Sequence, residues 1–391
     1  MRYALRRFFM AHLAAVLTLW VSAGAVLAED VGDFNTAAKQ AILIDSRSGT
    51  VYFSRNADKL MPPASMSKIM TMLLVFEGLK DGSLRLSDEF TISTDAWRRG
   101  GAPSGSSTMY AKIHSRIKLE DLMRGVIIQS ANDAAIAIAE GIAGSEDAYA
   151  VRMTKRAREL GLSNSTFKNA TGLPDPEHRV TARELGQLTR YLIEVFPERY
   201  KLYSEREFTW NKIKQGNRNP LLKKYPGADG VKTGHTKEAG YGLVGSAVRD
   251  GRRLIVVLNG MKSKGERSRE SAKLLDWGFR RFQRVGLFRQ GDNIAKARVW
   301  GGTKSYVPLV AKDDITVRLS EKERKQAEMI VRFKGPVKAP VRAGQELGSV
   351  VIKLDGKTIS NSPLVADESV AEEESMWSKA IDTLMFKAFG G

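Results

Sequence analysis

Met61-Pro62-Pro63-Ala64-Ser65-Met66-Ser67-Lys68 runs without interruption into Ile69-Met70-Thr71-Met72-Leu73-Leu74-Val75-Phe76. Proline is tolerated in the first turn of a helix, and a helix apolar on nearly all sides has to be buried. The stretch therefore predicts a core helix whose start carries a serine and a lysine one turn apart on one face. A serine hydroxyl is a poor nucleophile until a base takes its proton. Lys68 is the candidate base for Ser65, and it must be neutral to serve. A free lysine titrates at ~10.4, so bringing it to ~7–8 requires roughly 3–4 kcal/mol of destabilisation of the ammonium. Burial against the core helix and a second cation nearby, Lys232, would both act in that direction. Two further Ser-x-x-Lys strings, Ser115 to Lys118 and Ser165 to Lys168, open no apolar helix.

Working outward, Ser130-Ala131-Asn132 sits inside Ile127-Ile128-Gln129-Ser130-Ala131-Asn132-Asp133-Ala134-Ala135, at a break between two helical apolar segments. A short polar break walled by apolar residues can deliver side chains into a cleft. Ser130 there can relay a proton to a leaving amine, and Asn132 can hold a substrate amide. Helix capping is the plainer alternative for both. Ser54-Arg55-Asn56 also fits the triplet, but without that setting. Lys232-Thr233-Gly234 occurs once, directly before an expected edge hairpin. A lysine and a threonine hydroxyl there can bind a carboxylate, and glycine lets a ligand approach the backbone. Singly the string fits a solvated strand end; jointly, the order and setting of the three strings match a known acyl-transfer set of nucleophile, base and carboxylate clamp.

The surrounding chain supplies a frame for these strings. Ala41 to Ile44 and Thr50 to Phe53 flank Asp45-Ser46-Arg47-Ser48-Gly49 and read as a hairpin whose mate lies far downstream. Tyr241 to Val248, the turn Asp250-Gly251, and Leu254 to Leu258 form a second hairpin. Between them, helical periodicity marks Leu119 to Ile128, Asn132 to Ile142, Tyr149 to Leu160 and Ala182 to Phe196, with Arg267 to Phe282 following the sheet. Strands at both ends of a helical block imply a sheet with helices on its faces. Beyond Val285 the pattern changes to short β-like runs split by Gly and Pro, Ile294 to Trp300, Lys304 to Val310, Ile315 to Leu319, Met329 to Phe333 and Val350 to Leu354, expected to form a small all-β domain. The expected division is 29–284 catalytic, 285–365 β-rich, and 366–375 a solvated acidic linker. Residues 376–391 are expected to form an amphipathic helix, with Trp377, Ala380, Ile381, Leu384, Met385 and Ala388 at helical spacing, suited to a membrane interface, docking on its own protein being the alternative.

Composition narrows the compartment. Residues 1–28 join Arg2, Arg6 and Arg7 to an apolar run ending Val26-Leu27-Ala28, which reads as a secretory signal cut after Ala28. The arginine pair does not decide between the general and the twin-arginine export routes. The 391 residues include no cysteine, which excludes disulfides and thiolate metal sites. With 62 Lys and Arg against 44 Asp and Glu the net charge is +18. In an exported chain that charge suits anionic lipid and wall polymer, and no nucleic-acid-binding motif accompanies it.

Beyond the triplets, five stretches carry a family resemblance: Leu60 to Lys68, Gly105-Ser106-Ser107-Thr108-Met109, Ile127 to Ala134, Asn169-Ala170-Thr171-Gly172-Leu173, and Asp229 to Thr236. The chain resembles the D-alanyl-D-alanine carboxypeptidases, the low-molecular-mass penicillin-binding proteins among the serine peptidases, over nearly all of its mature length. The resemblance implies an α/β (α+β) fold: a β-lactamase/transpeptidase-like catalytic domain with an antiparallel sheet and helical block, then a small all-β domain and a C-terminal amphipathic helix. It implies removal of the terminal D-alanine from peptidoglycan pentapeptide stems at the outer face of the inner membrane, and acylation by β-lactam antibiotics. Ser65 would be acylated, Lys68 would be the base, and Ser130 and Asn132 would assist. The N–H groups of Ser65 and His235 would hold the oxyanion. Arg218 aligns with an arginine that helps hold the terminal carboxylate, a surface role being its alternative, and His178 falls where the family has a histidine near the cleft. Ala131 stands where the family commonly has Gly. No cofactor or metal is implied, since His12, His114, His178 and His235 lie too far apart in sequence for a zinc site. Two rivals are a β-lactamase, which needs a water-activating glutamate that Glu177 in its Pro-Asp-Pro-Glu-His setting does not reproduce, and a wall-binding protein with a vestigial site.

Overall fold

Strands β1 (Gln40–Asp45) and β2 (Val51–Arg55) form the first hairpin, its turn closed by the Asp45 carboxylate accepting the N–H groups of Arg47 and Ser48. The computed structural model describes residues 33–282, 284–319, 321–333, 335–375 and Trp377. The expected signal segment 1–28 lies outside the described residues, as does the expected terminal helix 376–391 apart from Trp377. Three further strands, β3 (Ala228–Thr236), β4 (Gly240–Arg249) and β5 (Arg252–Met261), complete an antiparallel sheet of order β2-β1-β5-β4-β3. The distant mate of β1 is β5, in the register Ile42↔Val257.

Both faces of the sheet are covered, so its strands read as continuous apolar runs. Successive side chains point to opposite faces. Ile42, Ile44, Val244 and Val257 face the large helical core, while Ala41, Leu43, Leu243, Leu254 and Val256 face a second, smaller core. The helical block contains α1 (Lys68–Asp81), α2 (Leu119–Arg124), α3 (Asn132–Ala143), α4 (Glu146–Glu159) and α5 (Ala182–Val195). As its composition requires, α1 is buried along most of its length, from Lys68 to Leu73 and at Val75, Phe76 and Gly78. Helix α6 (Lys264–Arg281) covers the opposite face of the sheet, with Gly278 set against Leu43 and Leu254.

Past the catalytic sheet, β6 (Arg284–Phe288), β7 (Asn293–Trp300), β8 (Tyr306–Ala311), β9 (Ile315–Arg318), β10 (Glu328–Phe333), β11 (Val337–Lys338), β12 (Glu346–Leu354) and β13 (Lys357–Ala366) build the small β domain. Its main sheet has the order β10-β12-β13-β8-β7-β11, and β6 pairs with β9. The acidic stretch expected to be a solvated linker is corrected here. Ala366 ends β13, Val370 is 1% exposed and bridges Val341, and the Thr303 N–H donates to the Ala371 carbonyl. The charges of Asp367, Glu368 and Glu372 to Glu374 dominate the composition, but burial of Val370 fixes where the chain runs.

Candidate active site

The proline pair leads into a single 3₁₀ turn, Ala64–Ser67, from which α1 continues, so Ser65 stands at the mouth of the core and Lys68 one turn inside it. Lys68 is 1% exposed. Its Nζ lies 3.1 Å from Ser65 Oγ and 2.6 Å from Asn132 Oδ1, and it also contacts the carbonyl oxygen of Thr171. A neutral amine has two N–H groups and one lone pair. The two carbonyl-type oxygens can accept both N–H groups, which leaves the lone pair for the Ser65 hydroxyl proton. Burial pushes the Lys68 amine down to about 7; Glu146 and Asp133 oppose that and Arg218 reinforces it.

The Thr171 carbonyl is held by its own loop. Asn169 Oδ1 accepts the N–H groups of Thr171 and Gly172 and the Thr171 hydroxyl, while Asn169 Nδ2 donates to the Leu173 carbonyl. Gly172 has φ +79°, and a Cβ there would stand 1.9 Å from the Ala64 carbonyl oxygen. The loop therefore abuts the nucleophile turn at a point where only glycine fits.

Helix α2 ends in a π turn, Gly125–Gln129, and Ser130 then takes φ +65°, which breaks the helix before α3 begins at Asn132. Such bulges are often found at functional sites. The Ser130 Oγ is buried with no hydrogen-bond partner among the described residues. Asn132 Nδ2 donates to Ser106 Oγ at 3.0 Å, and the Asn132 N–H donates to the Ser107 carbonyl at 2.7 Å. Asp133 holds this loop in place. Its buried carboxylate accepts the Thr108 hydroxyl and the N–H groups of Met109, Ala111 and Ala134.

Lys232-Thr233-Gly234 lies within β3, at the sheet edge and not ahead of it, with Thr233 opposite Leu243 and Gly234 opposite Gly242. A Cβ on Gly234 would come 2.9 Å from the Pro63 carbonyl oxygen, so the glycine allows the strand to pack on the Ser65 turn. Lys232 is 2% exposed and is held well below the ordinary lysine range by burial and by the charges of Lys68, Arg218 and Arg267. His235 stacks on Tyr241 with ring centroids 3.9 Å apart. Arg218 donates to Ser107 Oγ at 2.6 Å and to Gln129 Oε1 at 3.2 Å. Ser65, Ser106, Ser107, Ser130, Arg218, Thr233, Gly234, His235, Tyr241, Lys264 and Arg267 line one cavity of about 530 Å³. Lys68 and Asn132 contact its floor through Ser65 and Ser106.

Arg267 and the Thr171 carbonyl escaped the sequence reading. Arg267 is buried on α6, burial pushes it down to about 10, and its guanidinium faces the Gly234 and Gly242 carbonyls at 3.5 Å. The available signal was its place on the inward stripe of α6 with Ser271, Leu274 and Gly278. His178 is buried against Phe167 with neither ring nitrogen partnered among the described residues, and burial pushes it down to about 4. Glu177 pairs with Lys168 at 2.9 Å and is largely exposed. Among the described residues no group of His, Asp or Glu is arranged to hold a metal ion.

The chain is similar to known proteins over most of its length. A family model described as D-alanyl-D-alanine carboxypeptidase matches residues 27–263, and one described as the C-terminal domain of penicillin-binding protein 5 matches 282–372. The D-alanyl-D-alanine carboxypeptidase DacC of Escherichia coli is 41% identical over 353 residues, covering 90% of this chain and 88% of the relative. The structure of penicillin-binding protein 5 from Haemophilus influenzae matches with a TM-score of 0.68 at 37% identity, over 87% of this chain and 99% of that one. Penicillin-binding protein D2 from Listeria monocytogenes, solved in its ampicillin-bound form, matches with a TM-score of 0.57 at 30% identity, over 63% of this chain and 99% of that one.

Proposed function

The chain belongs to the D-alanyl-D-alanine carboxypeptidase family, and from that membership we propose how its own residues carry the reaction. It is a serine-type D-Ala-D-Ala carboxypeptidase that acts on peptidoglycan stem peptides and binds β-lactams. Neutral Lys68 takes the Ser65 proton as Oγ attacks the carbonyl of the penultimate D-alanine. The N–H groups of Ser65 and His235 receive the negative charge that develops on the carbonyl oxygen. Ser130, whose hydroxyl has no partner among the described residues, delivers its proton to the departing amine and regains one from protonated Lys68, which returns that amine to its neutral form. Lys232, Thr233 and Arg218 hold the carboxylate of the leaving D-alanine, Gly234 keeps the strand close to the nucleophile, and Asn132 orients Lys68. Water then hydrolyses the ester, with Lys68 again accepting a proton.

The observation that carries this reading is the Lys68 amine, buried and 3.1 Å from Ser65 Oγ. The direct test is D-alanine release from a pentapeptide, together with labelling by a fluorescent penicillin. Both should vanish in Ser65→Ala; label retained in that variant would remove Ser65 from its role. The β-lactamase alternative needs a free carboxylate to activate water. Glu177 is engaged with Lys168, Glu146 with Arg99 and the Ala170 N–H, and Asp133 with its four donors. Slow release of the penicilloyl enzyme is therefore expected.

Export to the periplasm through residues 1–28, and attachment to the membrane surface through 376–391, complete the proposal. Among the described residues no helix is long and apolar enough to cross a membrane. Deleting 376–391 should move the protein from the membrane to the soluble fraction, and retention on membranes would assign the anchor elsewhere.

A further inference from the structure

The cavity shares Arg218, Lys264 and Arg267 with a neighbouring groove of about 630 Å³, which is lined further by Lys224 and Arg269. None of these five cations forms an ion pair with a carboxylate of the described residues. Elsewhere arginines are neutralised, as in Arg124 with Glu205, Arg156 with Glu77 and Arg183 with Asp58. The two acids nearest in sequence are occupied. Glu266 accepts the Lys262 N–H, and Glu270 accepts the Thr36 hydroxyl and the Ala37 N–H. Three of the cations, Lys264, Arg267 and Arg269, stand in the first two turns of α6, where the helix dipole already disfavours positive charge. That placement costs stability and creates a strongly positive surface beside the reaction centre.

We infer that this groove is a subsite for leaving groups larger than D-alanine that carry an additional negative charge. The inference rests on the carboxypeptidase reading, because that reading sets the direction of the substrate. The acyl portion lies at Ser65 and the departing residue's carboxylate at Thr233 and Arg218, so atoms beyond Arg218 belong to the departing residue. A D-residue with a second carboxylate on its side chain, such as D-glutamate, extends toward Lys264, Lys224 and Arg269. The chemistry is unchanged: the Ser65 Oγ–carbonyl bond forms, the scissile C–N bond breaks, and the leaving amine gains a proton.

The test uses the full chain and diacyl-lysyl-D-Ala-D-X peptides with X as D-Ala, D-Gln or D-Glu, measuring release of X. D-Gln matches D-Glu in shape without the charge. At low ionic strength kcat/KM for D-Glu should exceed that for D-Gln by about fivefold, falling toward equality near 1 M salt. The double variant Lys224→Ala, Arg269→Ala, at two exposed positions outside the clamp, should abolish the preference and leave D-alanine release unchanged. Equal rates for D-Glu and D-Gln in the parent protein, or a preference untouched by the double variant, would overturn the inference. Loss of D-alanine release in the parent protein itself would overturn the carboxypeptidase reading and this inference with it.

Discussion

Acidification should switch off acylation of Ser65 along a curve set by one buried amine. Lys68 is held at about 7 against 10.5 for the free side chain, a difference of about 5 kcal/mol between its two protonation states. Acylation requires the neutral form, which falls from roughly nine-tenths at pH 8 to one-tenth at pH 6 and one-hundredth at pH 5. The second-order rate of labelling by a fluorescent penicillin should therefore drop about tenfold per pH unit below 7 and level off above 8. Stability supplies an independent reading of the same group. Between pH 7 and 10.5 the unfolded chain keeps a proton that the folded protein has lost, so stability rises with pH across that window. Below 7 both states are protonated and the full penalty of the buried ammonium stands. Urea unfolding of the parent protein should gain about 1.4 kcal/mol per pH unit relative to Lys68→Met between pH 7.5 and 9.5. A labelling rate constant from pH 6 to 8, or a stability difference independent of pH, would refute the assignment of Lys68 as base.

Three further substitutions separate catalysis from scaffolding. Ser130→Ala should slow acylation by roughly 10²–10³-fold while leaving thermal stability unchanged or slightly raised, since a buried hydroxyl without a partner is removed; an unaltered acylation rate would deny it the proton relay. Gly172→Ala introduces a Cβ 1.9 Å from the Ala64 carbonyl oxygen at φ +79°, and denaturant titration should report a loss of about 2–4 kcal/mol. Asp133→Ala strips four donors of their acceptor, and a loss of about 3–5 kcal/mol in the same titration, with Asp133→Asn less affected, would identify it as the brace of the Ser106 to Ala111 loop.

How far the site could be read in the sequence follows from where each part of its chemistry resides. Ser65 and Lys68 were legible because the apolar helix behind them has no other use than burial, and burial is what the lysine needs. The strand holding Lys232 was not. Asp229, Gly230, Lys232 and Gly234 have low β propensity, and pairing with β4 holds them extended in spite of it. Arg267 is hard to see because a charged residue ordinarily marks a solvated face, although the stripe of α6 places that position inward. Acidic composition masks the segment around Val370 in the same way, when one valine meeting Val341 decides its course. The Thr171 carbonyl has no letter of its own; only Asn169 and Gly172, which fix it, betray it. Yet that oxygen completes the logic of the base. With the Thr171 carbonyl and Asn132 Oδ1 as acceptors for its two N–H groups, an uncharged Lys68 is fully satisfied only if its lone pair meets the hydroxyl of Ser65. Removing Asn132 Oδ1, as in Asn132→Ala, would free the amine to turn away and should slow acylation even though Ser65 and Lys68 are intact.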